Sequence, residues 1–532
     1  MKKILLYTVV AATLLAGCTK NFNSINTDPT RSGASTFDPN LLLPTAELSY
    51  ASAISGYSGP ILFQSMWVQI FANAEYPTYY SNGDKYVASG NINTYDASTW
   101  NNGYTAASQA REIQNLTKGN DALSNLSCIA DILEIASIQV VTDTYGDCPY
   151  SQALAAKSNA TYLPVYDKQQ DIYNTMLFRL DSVLKIMDVS KAKPTNDAFS
   201  YGGDVAKWKK FGYSLMLKIA MRLTKVDAAT AQSYAEKAAA GGTMESADDN
   251  AYLAYDHTDG YSNPNSSALV VGEDYSQVKW GKMLIDMLKA DNDPRLPVIA
   301  EVPAAGLANQ ANEGLAGNST PSVQQGMPNG YDQNGGGTDI SKAPGYPGGT
   351  GTGNDFNPIG SYSRPKTSTY LDLDAPLFIL TYPESELLLA EAAARGWNAG
   401  SSAATHYANG VAGALETYGT YNPAAAIDAG TATAYAAAHP LVANSLEQIN
   451  DQYWMTTGTL FNFTEAWCNW RRSGYPVLTP VNYTGNFTTG QIPRRQVYPL
   501  SEATTNAANF NAAVADLSGG DTWTSRVWWD QQ

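Results

Sequence analysis

DALSNLSCIADILEIASIQVVT, from Asp121 to Thr142, repeats its apolar residues at intervals of three and four positions. An α-helix has about 3.6 residues per turn, so this spacing gathers the apolar side chains on one side of a helix. Asp121 precedes the first apolar residue, where an aspartate can accept a hydrogen bond from a free backbone N–H of the first turn. We predict an amphipathic helix over residues 121–142 with Asp121 as its N-cap.

The same spacing recurs along the chain and predicts helices over residues 167–187, 205–223, 228–240, 280–289, 376–395, 401–417 and 445–456. Two pairs with short connections, 205–240 and 376–417, have about the 34-residue length of a tetratricopeptide unit. Long irregular stretches rich in aromatic residues or in Gly, Pro and Asn separate the helices. We predict a mainly α protein in which tetratricopeptide-like helix pairs pack against an irregular, loop-rich lobe.

The start of the chain has the pattern of a bacterial lipoprotein signal. Lys2 and Lys3 precede an apolar run, and Leu-Ala-Gly stands directly before Cys18. The run is too short to cross a hydrocarbon core roughly 30 Å thick as a helix, and an N-terminal core helix would leave the lysines and the cysteine unexplained. We expect residues 1–17 to be a signal peptide, Cys18 to carry the lipid, residues 18–40 to be a tether and residues 41–532 to form the binding domain.

Composition favours a protein that binds uncharged polar ligands outside the cytoplasm. The formal net charge of −16 repels nucleic acids and anionic lipid headgroups. Only 15% of the residues are charged, whereas the chain has 34 Tyr and 11 Trp. The body is long enough for one large domain or for two closely packed lobes. We expect an outer-membrane protein, held by its lipid anchor, with no nucleic-acid partner.

Cysteines and histidines give little support to metal or redox chemistry. Cys128, Cys148 and Cys468 are an odd number without C-x-x-C spacing, which allows one disulfide, Cys128 to Cys148, and no more. The three histidines are widely separated, so they do not form a zinc-binding motif. Acidic loops at residues 248–250 and 291–293 could bind a structural Ca²⁺ ion, but they lack the calcium-loop pattern. We predict no cofactor and no metal site.

No catalytic motif is recognisable either. Glycoside hydrolysis needs only two suitably placed carboxylates, so Asp143 with Asp147, or Glu386 with Glu391, could be considered for that role. However, acids four or five positions apart on a helix are commonly solvated or paired. We predict that the protein is not an enzyme.

Several short motifs, read in order, resemble those of one known family. They are FNSINTDP at residues 22–29, DTYGDCPYSQA at 143–153, NDPRL at 292–296, YPESELLLAEA at 382–392, WRRSGYP at 470–476, PRRQVYP at 493–499 and VWWD at 527–530. In this order they are similar to the SusD/RagB outer-membrane nutrient-binding lipoproteins of Bacteroidetes, especially the SusD-like branch. The resemblance covers essentially the whole chain.

The resemblance implies a fold with four tetratricopeptide-like helix pairs and a ligand site in the irregular lobe. It also implies a partner, a SusC-type TonB-dependent transporter over which the lipoprotein sits as a hinged lid. In that family the ligand, a glycan or for some members a peptide, passes to the transporter unchanged. We interpret the charged motif residues as structural caps, turns and internal ion pairs; they are Asp147, Asp293, Arg295, Glu391, Arg471, Arg472, Arg494 and Arg495.

The first candidate for a glycan site is an aromatic stretch with nearby amides. Sugar rings pack their C–H faces on aromatic rings, while their hydroxyls need donors and acceptors such as Asn, Asp, Gln and Tyr. Residues 64–80 and 95–102 supply both. The candidates are Tyr76, Tyr79, Tyr80, Trp100 and Asn101. The competing interpretation is a core role, since Trp67, Ile70 and Phe71 have helical spacing and Trp100 can anchor the helix that follows.

Two further stretches are alternatives. One is HTDGYSNPN at residues 257–265 with the aromatics behind it, which supplies the candidates Tyr261, Asn263, Tyr275 and Trp280. The other is the glycine-rich loop with Tyr331, Asp332, Tyr346, Phe356 and Tyr362. From these we expect a cell-surface lipoprotein that captures oligosaccharides and delivers them to its transporter. A peptide-binding member of the same type and a surface adhesin are the alternatives, and a glycoside hydrolase is the least favoured.

Overall fold

The computed structural model describes residues 37–75, 79–88, 91–271, 277–302, 317–348 and 361–531. Its longer α-helices are α1 Leu43–Ile54, α2 Ser98–Thr117, α3 Ser124–Tyr145, α4 Gln169–Ile186, α5 Val205–Arg222, α6 Ala228–Gly241, α7 Lys282–Ala290, α8 Tyr382–Ala394, α9 Ala403–Glu416, α10 Ala429–Ala438, α11 Leu446–Thr459, α12 Phe463–Ser473 and α13 Ala507–Asp516. The predicted mainly α class is confirmed. Cys18, the signal peptide and the tether up to residue 36 lie outside the described residues.

Shorter elements connect the long helices. A π-helix spans Tyr57–Gln64, and short α-helices span Ser65–Trp67, Ser81–Asp84, Ile92–Asp96, Ala156–Asn159, Pro264–Leu269, Leu296–Ile299, Thr367–Tyr370 and Glu502–Thr505. The strands are β1 Phe71–Ala72, β2 Cys148–Pro149, β3 Tyr166–Asp167, β4 Ala251–Leu253, β5 Lys279–Trp280, β6 Ala300–Glu301, β7 Arg364–Pro365 and β8 Leu377–Leu380. They form antiparallel pairs, β1 with β5, β2 with β3, β4 with β8 and β6 with β7.

Helix α3 is the central helix of the N-terminal half. It packs against α1, α2 and α4 and is buried on nearly all sides, not on the single face that an amphipathic helix would bury. Gly103 on α2 permits the close approach, because a Cβ atom there would lie 2.4 Å from Cγ2 of Val141. Among the described residues, only the helical segment 121–145 is long and apolar enough to cross a membrane. Of its most apolar 18 residues, 89% are buried inside the protein, as in a core helix.

Side-chain caps begin several of these helices where the sequence offers Asp, Asn or Thr. Asp204 accepts a hydrogen bond from the backbone N–H of Ala206 at 2.8 Å, and Asp227 accepts one from Thr230 at 3.1 Å. Before α3, a 3-10 turn spans Asp121–Leu123, and it is Asn120 rather than Asp121 that caps this turn, by accepting from the N–H of Ala122. The predicted N-cap was therefore wrong by one residue.

The predicted helix pairs over residues 205–240 and 376–417 are present. Helix α5 packs on α6, and α8 packs on α9. The start of the second pair differs from the prediction, because residues 377–380 form strand β8, which pairs with β4. Helix α8 begins only after Thr381, whose backbone N–H donates to Oε1 of Glu384 at 3.0 Å in a capping box.

Buried ion pairs join the helix pairs to the C-terminal segments, as the sequence predicts for the motif residues. Arg472 on α12 binds Glu391 on α8 through two hydrogen bonds of 2.6 Å. Arg494 pairs with Asp530 at 2.7 Å. The indole N–H of Trp529, which is fully buried, donates to Oδ1 of Asp143 at 3.1 Å. Trp529 and Asp530 are thus built into the core.

Candidate ligand-binding site

Four tyrosines from the first candidate region form a group that we call the tyrosine cluster. Tyr57 packs edge-on against Tyr80 and Tyr95, with ring centroids 5.8 and 5.7 Å apart, and Tyr79 packs edge-on against Tyr95 at 5.8 Å. Tyr80 is 1% exposed, whereas Tyr79 is 46% exposed. The cluster therefore holds one tyrosine ring at the surface on a base of other rings.

Short elements with unusual backbone geometry position this cluster. Tyr57 opens the π-helix, and the residue before it, Gly56, has φ 88°, which a residue with a Cβ atom adopts only with strain. Tyr80 precedes the short helix Ser81–Asp84, and Tyr95 lies on the short helix Ile92–Asp96. The rings thus come from three separate elements.

Neutral hydrogen-bonding groups lie next to the exposed ring. Asn91 is exposed, and its Nδ2 lies 3.5 Å from the hydroxyl of Tyr79, at the outer limit of a hydrogen bond. Asn93 and Thr94 are exposed on the following turn. An exposed aromatic ring beside amide and hydroxyl groups is the combination that a sugar ring needs.

The second candidate stretch lies beside the tyrosine cluster. Asn265 accepts a hydrogen bond from the backbone N–H of Gly56 at 2.8 Å, and the helix Pro264–Leu269 packs against the π-helix. Tyr261, four residues before Asn265, is 58% exposed. The fold therefore brings together two stretches that are about two hundred residues apart in the sequence.

Other predicted ligand residues are buried. Trp280 is fully buried, and its indole N–H donates to the carbonyl of Ile299 at 3.0 Å. Asn263, 3% exposed, caps the helix Pro264–Leu269 and donates to the carbonyl of Ala375. Tyr80 and Trp100, which is 6% exposed, pack in aromatic groups. Their environments account for them as structural residues, as the competing interpretation from the sequence states for Trp100.

Some predicted residues cannot be placed. Tyr76 and Tyr275 lie outside the described residues, and so do Phe356 of the glycine-rich loop and Cys18. Asn101, in contrast, is exposed on the first turn of α2.

The third candidate region forms a different surface. A groove of about 530 Å³ runs beside the half-buried Tyr331, and its lining includes Asn329, Asn482 and the exposed ion pair of Lys282 with Asp286. Asp332 and Tyr362 of this loop face inward, and Tyr346 is partly buried. Asp332 accepts from the hydroxyl of Tyr483 at 2.6 Å, and Tyr362 is fully buried in a small core with Met327 and Ile340.

The carboxylates considered for glycoside hydrolysis all have internal partners. Glu386 accepts hydrogen bonds from His406 and Asn409, both at 3.0 Å. Asp147 accepts from the first backbone N–H of α4, that of Gln169, at 2.8 Å. Burial raises the pKa of Glu391, but the neighbouring Arg472 outweighs it and lowers that pKa to about 2. These acids therefore hold the fold together.

The acidic loops form ion pairs within the protein, and the cysteines are buried thiols. Asp249 pairs with Lys210 at 2.9 Å, and Asp293 pairs with Arg295. In the described part of the chain, no group of three His, Cys, Asp or Glu residues is arranged to hold a metal ion. Cys128 and Cys148 are free and buried, so the disulfide that the sequence allowed is absent.

Sequence reasoning missed several residues at these surfaces, among them Tyr57, Asn91 and Tyr162. Tyr95 lies within the aromatic stretch at residues 95–102, and Tyr57 lies seven residues before the stretch 64–80. Tyr162 is 74% exposed. The sequence feature that could have pointed to Tyr162 is the apolar run Tyr-Leu-Pro-Val at residues 162–165, which interrupts a polar loop.

The fold and these surfaces define a mainly helical binding protein whose loops expose aromatic and amide groups. The chain matches the SusD-like family described as "Starch-binding associating with outer membrane" over residues 35–499. It therefore belongs to the SusD-like family, whose members are binding proteins that associate with the outer membrane.

Solved structures agree with this assignment. A chitin-binding protein is 31% identical, with a TM-score of 0.77 over 93% of this chain and 100% of the other. A SusD homologue from Bacteroides uniformis is 25% identical, with a TM-score of 0.70 over 92% and 99% of the two chains. A chitin-binding SusD homologue from Flavobacterium johnsoniae is 21% identical, with a TM-score of 0.67 over 88% and 93%, and shares the fold. No curated protein sequence matches the chain.

Proposed function

We propose that this protein is a cell-surface lipoprotein that captures a neutral oligosaccharide and delivers it, chemically unchanged, to a TonB-dependent transporter of the outer membrane. The observation that carries the binding step is the tyrosine cluster, which supports the exposed ring of Tyr79 beside the amide of Asn91. Membership of a family described as starch-binding supports the ligand class.

The chemistry of the cluster fits a sugar better than a charged ligand. The ring of Tyr79 offers a face for sugar C–H groups, and Tyr261 offers a second exposed ring on the neighbouring loop. Asn91, Asn93 and Thr94 supply donors and acceptors without a formal charge. A chain with a net charge of −16 also disfavours an anionic polysaccharide.

Two glucose-based polymers are the first ligands to test. The relative with 31% identity is a chitin-binding protein, and the family description names starch. Chitin fragments carry acetamido groups, whose N–H and C=O can pair with asparagine amides, whereas starch fragments offer hydroxyl groups alone. Soluble chitooligosaccharides and maltooligosaccharides therefore separate the two alternatives.

Anchoring and delivery follow from the lipobox and from the family. A lipid on Cys18 would hold the binding domain at the membrane, since each buried methylene contributes about 0.8 kcal/mol. Transport would draw its energy from the TonB system and would require the protein to release an intact ligand. Replacement of Cys18 by Ala is expected to release the protein into the soluble fraction with its sugar binding unchanged.

The test is isothermal titration calorimetry of the lipidated protein in detergent against both oligosaccharide series and a set of short peptides. Mass spectrometry of the recovered ligand follows each titration. Saturable binding of an unchanged oligosaccharide supports the proposal, and co-purification with a large outer-membrane barrel supports delivery. Binding of peptides alone would contradict the ligand class, and a cleaved sugar would contradict passive capture.

A further inference from the structure

A second surface, which we call the Trp100 cleft, runs along helix α2. It has a volume of about 640 Å³, and Trp100, Asn101, Gln109, Tyr162, Pro164 and Glu502 are among the residues that line it. Its walls come from the first turns of α2, from the loop before strand β3 and from the helix Glu502–Thr505. Trp100 belongs to an aromatic group with Tyr104, Tyr145, Tyr166 and Tyr498, not to the tyrosine cluster.

Tyr162 is the unusual side chain in this cleft. At 74% it has the largest exposed fraction of any large hydrophobic side chain that the structure describes. Its loop is nevertheless held by two asparagine side chains, because Nδ2 of Asn506 donates to the backbone carbonyl of Pro164 at 2.8 Å and Nδ2 of Asn509 donates to that of Leu163 at 3.1 Å. The fold thus presents the ring to solvent from a fixed loop, as an aromatic binding surface requires.

Neutral polar groups line the same cleft as this ring. Asn101, Thr105, Ser108 and Gln109 lie on one side of α2 and line the cleft. Residues 101 and 109 are about 12 Å apart along the axis at about 1.5 Å per residue. The hydroxyl of Thr105 donates to the carbonyl of Asn101 at 2.8 Å. Within the described residues, the side-chain amides of Asn101 and Gln109 have no protein partner, so they are available to a ligand.

The charge of the cleft narrows the class of ligand. Glu502 is the one charged residue that lines it, and Oε2 of that carboxylate already accepts from the hydroxyl of Tyr166 at 2.7 Å. A cleft whose lining has a single carboxylate and no cation disfavours an anionic ligand, and an aromatic ring together with amides and hydroxyls suits an uncharged sugar.

We propose that the Trp100 cleft is a second carbohydrate-binding site, in which one ring of an uncharged oligosaccharide stacks on Tyr162 while Asn101 and Gln109 bind polar substituents at separate points along the sugar chain. The inference rests on the proposed function for the class of ligand, but it uses residues outside the tyrosine cluster. Two sites would let the protein hold a long chain, or two chains, at separate points.

The experiment is calorimetric titration of the lipidated protein with chitooligosaccharides and maltooligosaccharides, using Tyr162→Ala and the pair Asn101→Ala with Gln109→Ala. Phe178→Ala is the matched control, because Phe178 is 65% exposed and lines neither surface. We expect two binding events in the wild type. Tyr162→Ala should weaken one of them about two- to tenfold, the range expected for loss of one aromatic contact.

The variant Tyr79→Ala separates the inference from the proposed function. Tyr79→Ala should weaken the other binding event and leave the affinity of the Trp100 cleft unchanged. If sugar binding is insensitive to the substitutions at Tyr162, Asn101 and Gln109 but sensitive to Tyr79→Ala, the Trp100 cleft is not a binding site and the proposed function stands. If sugar binding depends on Tyr162 but not on Tyr79, the tyrosine cluster is not a binding site and the inference about the Trp100 cleft stands. If no oligosaccharide binds the wild type, or if only peptides bind the cleft, the inference is wrong.

Discussion

Asn265 holds Gly56 through a hydrogen bond of 2.8 Å from the backbone N–H of Gly56 to Oδ1 of Asn265, across 209 positions of the sequence. Both residues adjoin the candidate site, since Tyr57 follows Gly56 and Tyr261 precedes Asn265 by four residues. Asn265 is buried, so its carbonyl oxygen is the partner that satisfies this N–H away from water. The bond fixes the relative position of the two stretches that we assign to ligand binding.

Replacing Asn265 by Ala should destabilise the protein and weaken sugar binding together. A buried N–H that loses its acceptor costs about 1–3 kcal/mol, and the Tyr261 loop would lose its link to the π-helix. Urea denaturation measures the first effect and calorimetry the second. Asn265→Asp keeps an oxygen acceptor and is the matched variant. Unchanged affinity in a destabilised Asn265→Ala protein would show that the loop does not contribute to the site.

Tyr79→Ala should reduce oligosaccharide affinity about two- to tenfold, because it removes an exposed aromatic surface. Tyr79→Phe keeps the ring and loses the hydroxyl near Asn91, so it should retain most of the affinity. Both variants should unfold at the wild-type urea concentration, since Tyr79 is 46% exposed. Equal loss in the Ala and Phe variants would indicate that the hydroxyl, not the ring, contacts the sugar.

Local sequence was enough to place most of the helices. The periodicity alone predicted helices over 205–223 and 228–240, and the structure has them at Val205–Arg222 and Ala228–Gly241. The run at residues 377–380 was assigned to a helix because a short apolar run does not by itself distinguish a buried helix from a strand. The segment forms a strand because it pairs with β4, which is far away in the sequence.

For the candidate site, the sequence indicates the residue types but not which of them are exposed. Tyr79 and Tyr80 are neighbours of the same type, yet one is 46% and the other 1% exposed. The difference depends on Tyr57, which packs on Tyr80 from a separate element. Similarly, Asn101 was predicted, but the opposite wall of its cleft comes from Tyr162 and Glu502, which only the tertiary fold brings near. Local pattern supplies the residue types, and long-range packing selects which of them reach solvent.

The three cysteines of the binding domain should not react with a thiol reagent in the native protein at pH 8. All three are buried, and burial raises the pKa of Cys128 to about 11 and the pKa of Cys148 and Cys468 to about 12. The thiolate, which is the reactive form, is therefore scarce as well as inaccessible. Unfolding in urea without reductant should make all three cysteines reactive, and mass spectrometry measures the number of labelled cysteines. Labelling of one alone would show that Cys128 and Cys148 are disulfide-bonded.

The ion pair of Glu391 with Arg472 should make stability depend on pH in the acid range. Burial raises the pKa of Glu391, but Arg472 and Arg395 lower it to about 2 in the folded protein, below its ordinary value of 4.5. Between these values the unfolded chain binds a proton that the folded protein does not. The contribution of Glu391 is therefore complete above pH 4.5 and is lost as the pH falls towards 2.

Arg472→Met tests this assignment, because it leaves the buried Glu391 carboxylate without its main partner. Loss of one member of a buried pair costs about 3–5 kcal/mol, so the urea midpoint at pH 7 should fall sharply. The variant should also lose less stability than the wild type between pH 4.5 and 2, since the pKa of Glu391 would no longer be held down. Glu391→Gln with Arg472→Met removes both charges and should recover part of the loss at pH 7. A wild-type acid dependence that persists in Arg472→Met would assign the pH effect to other carboxylates.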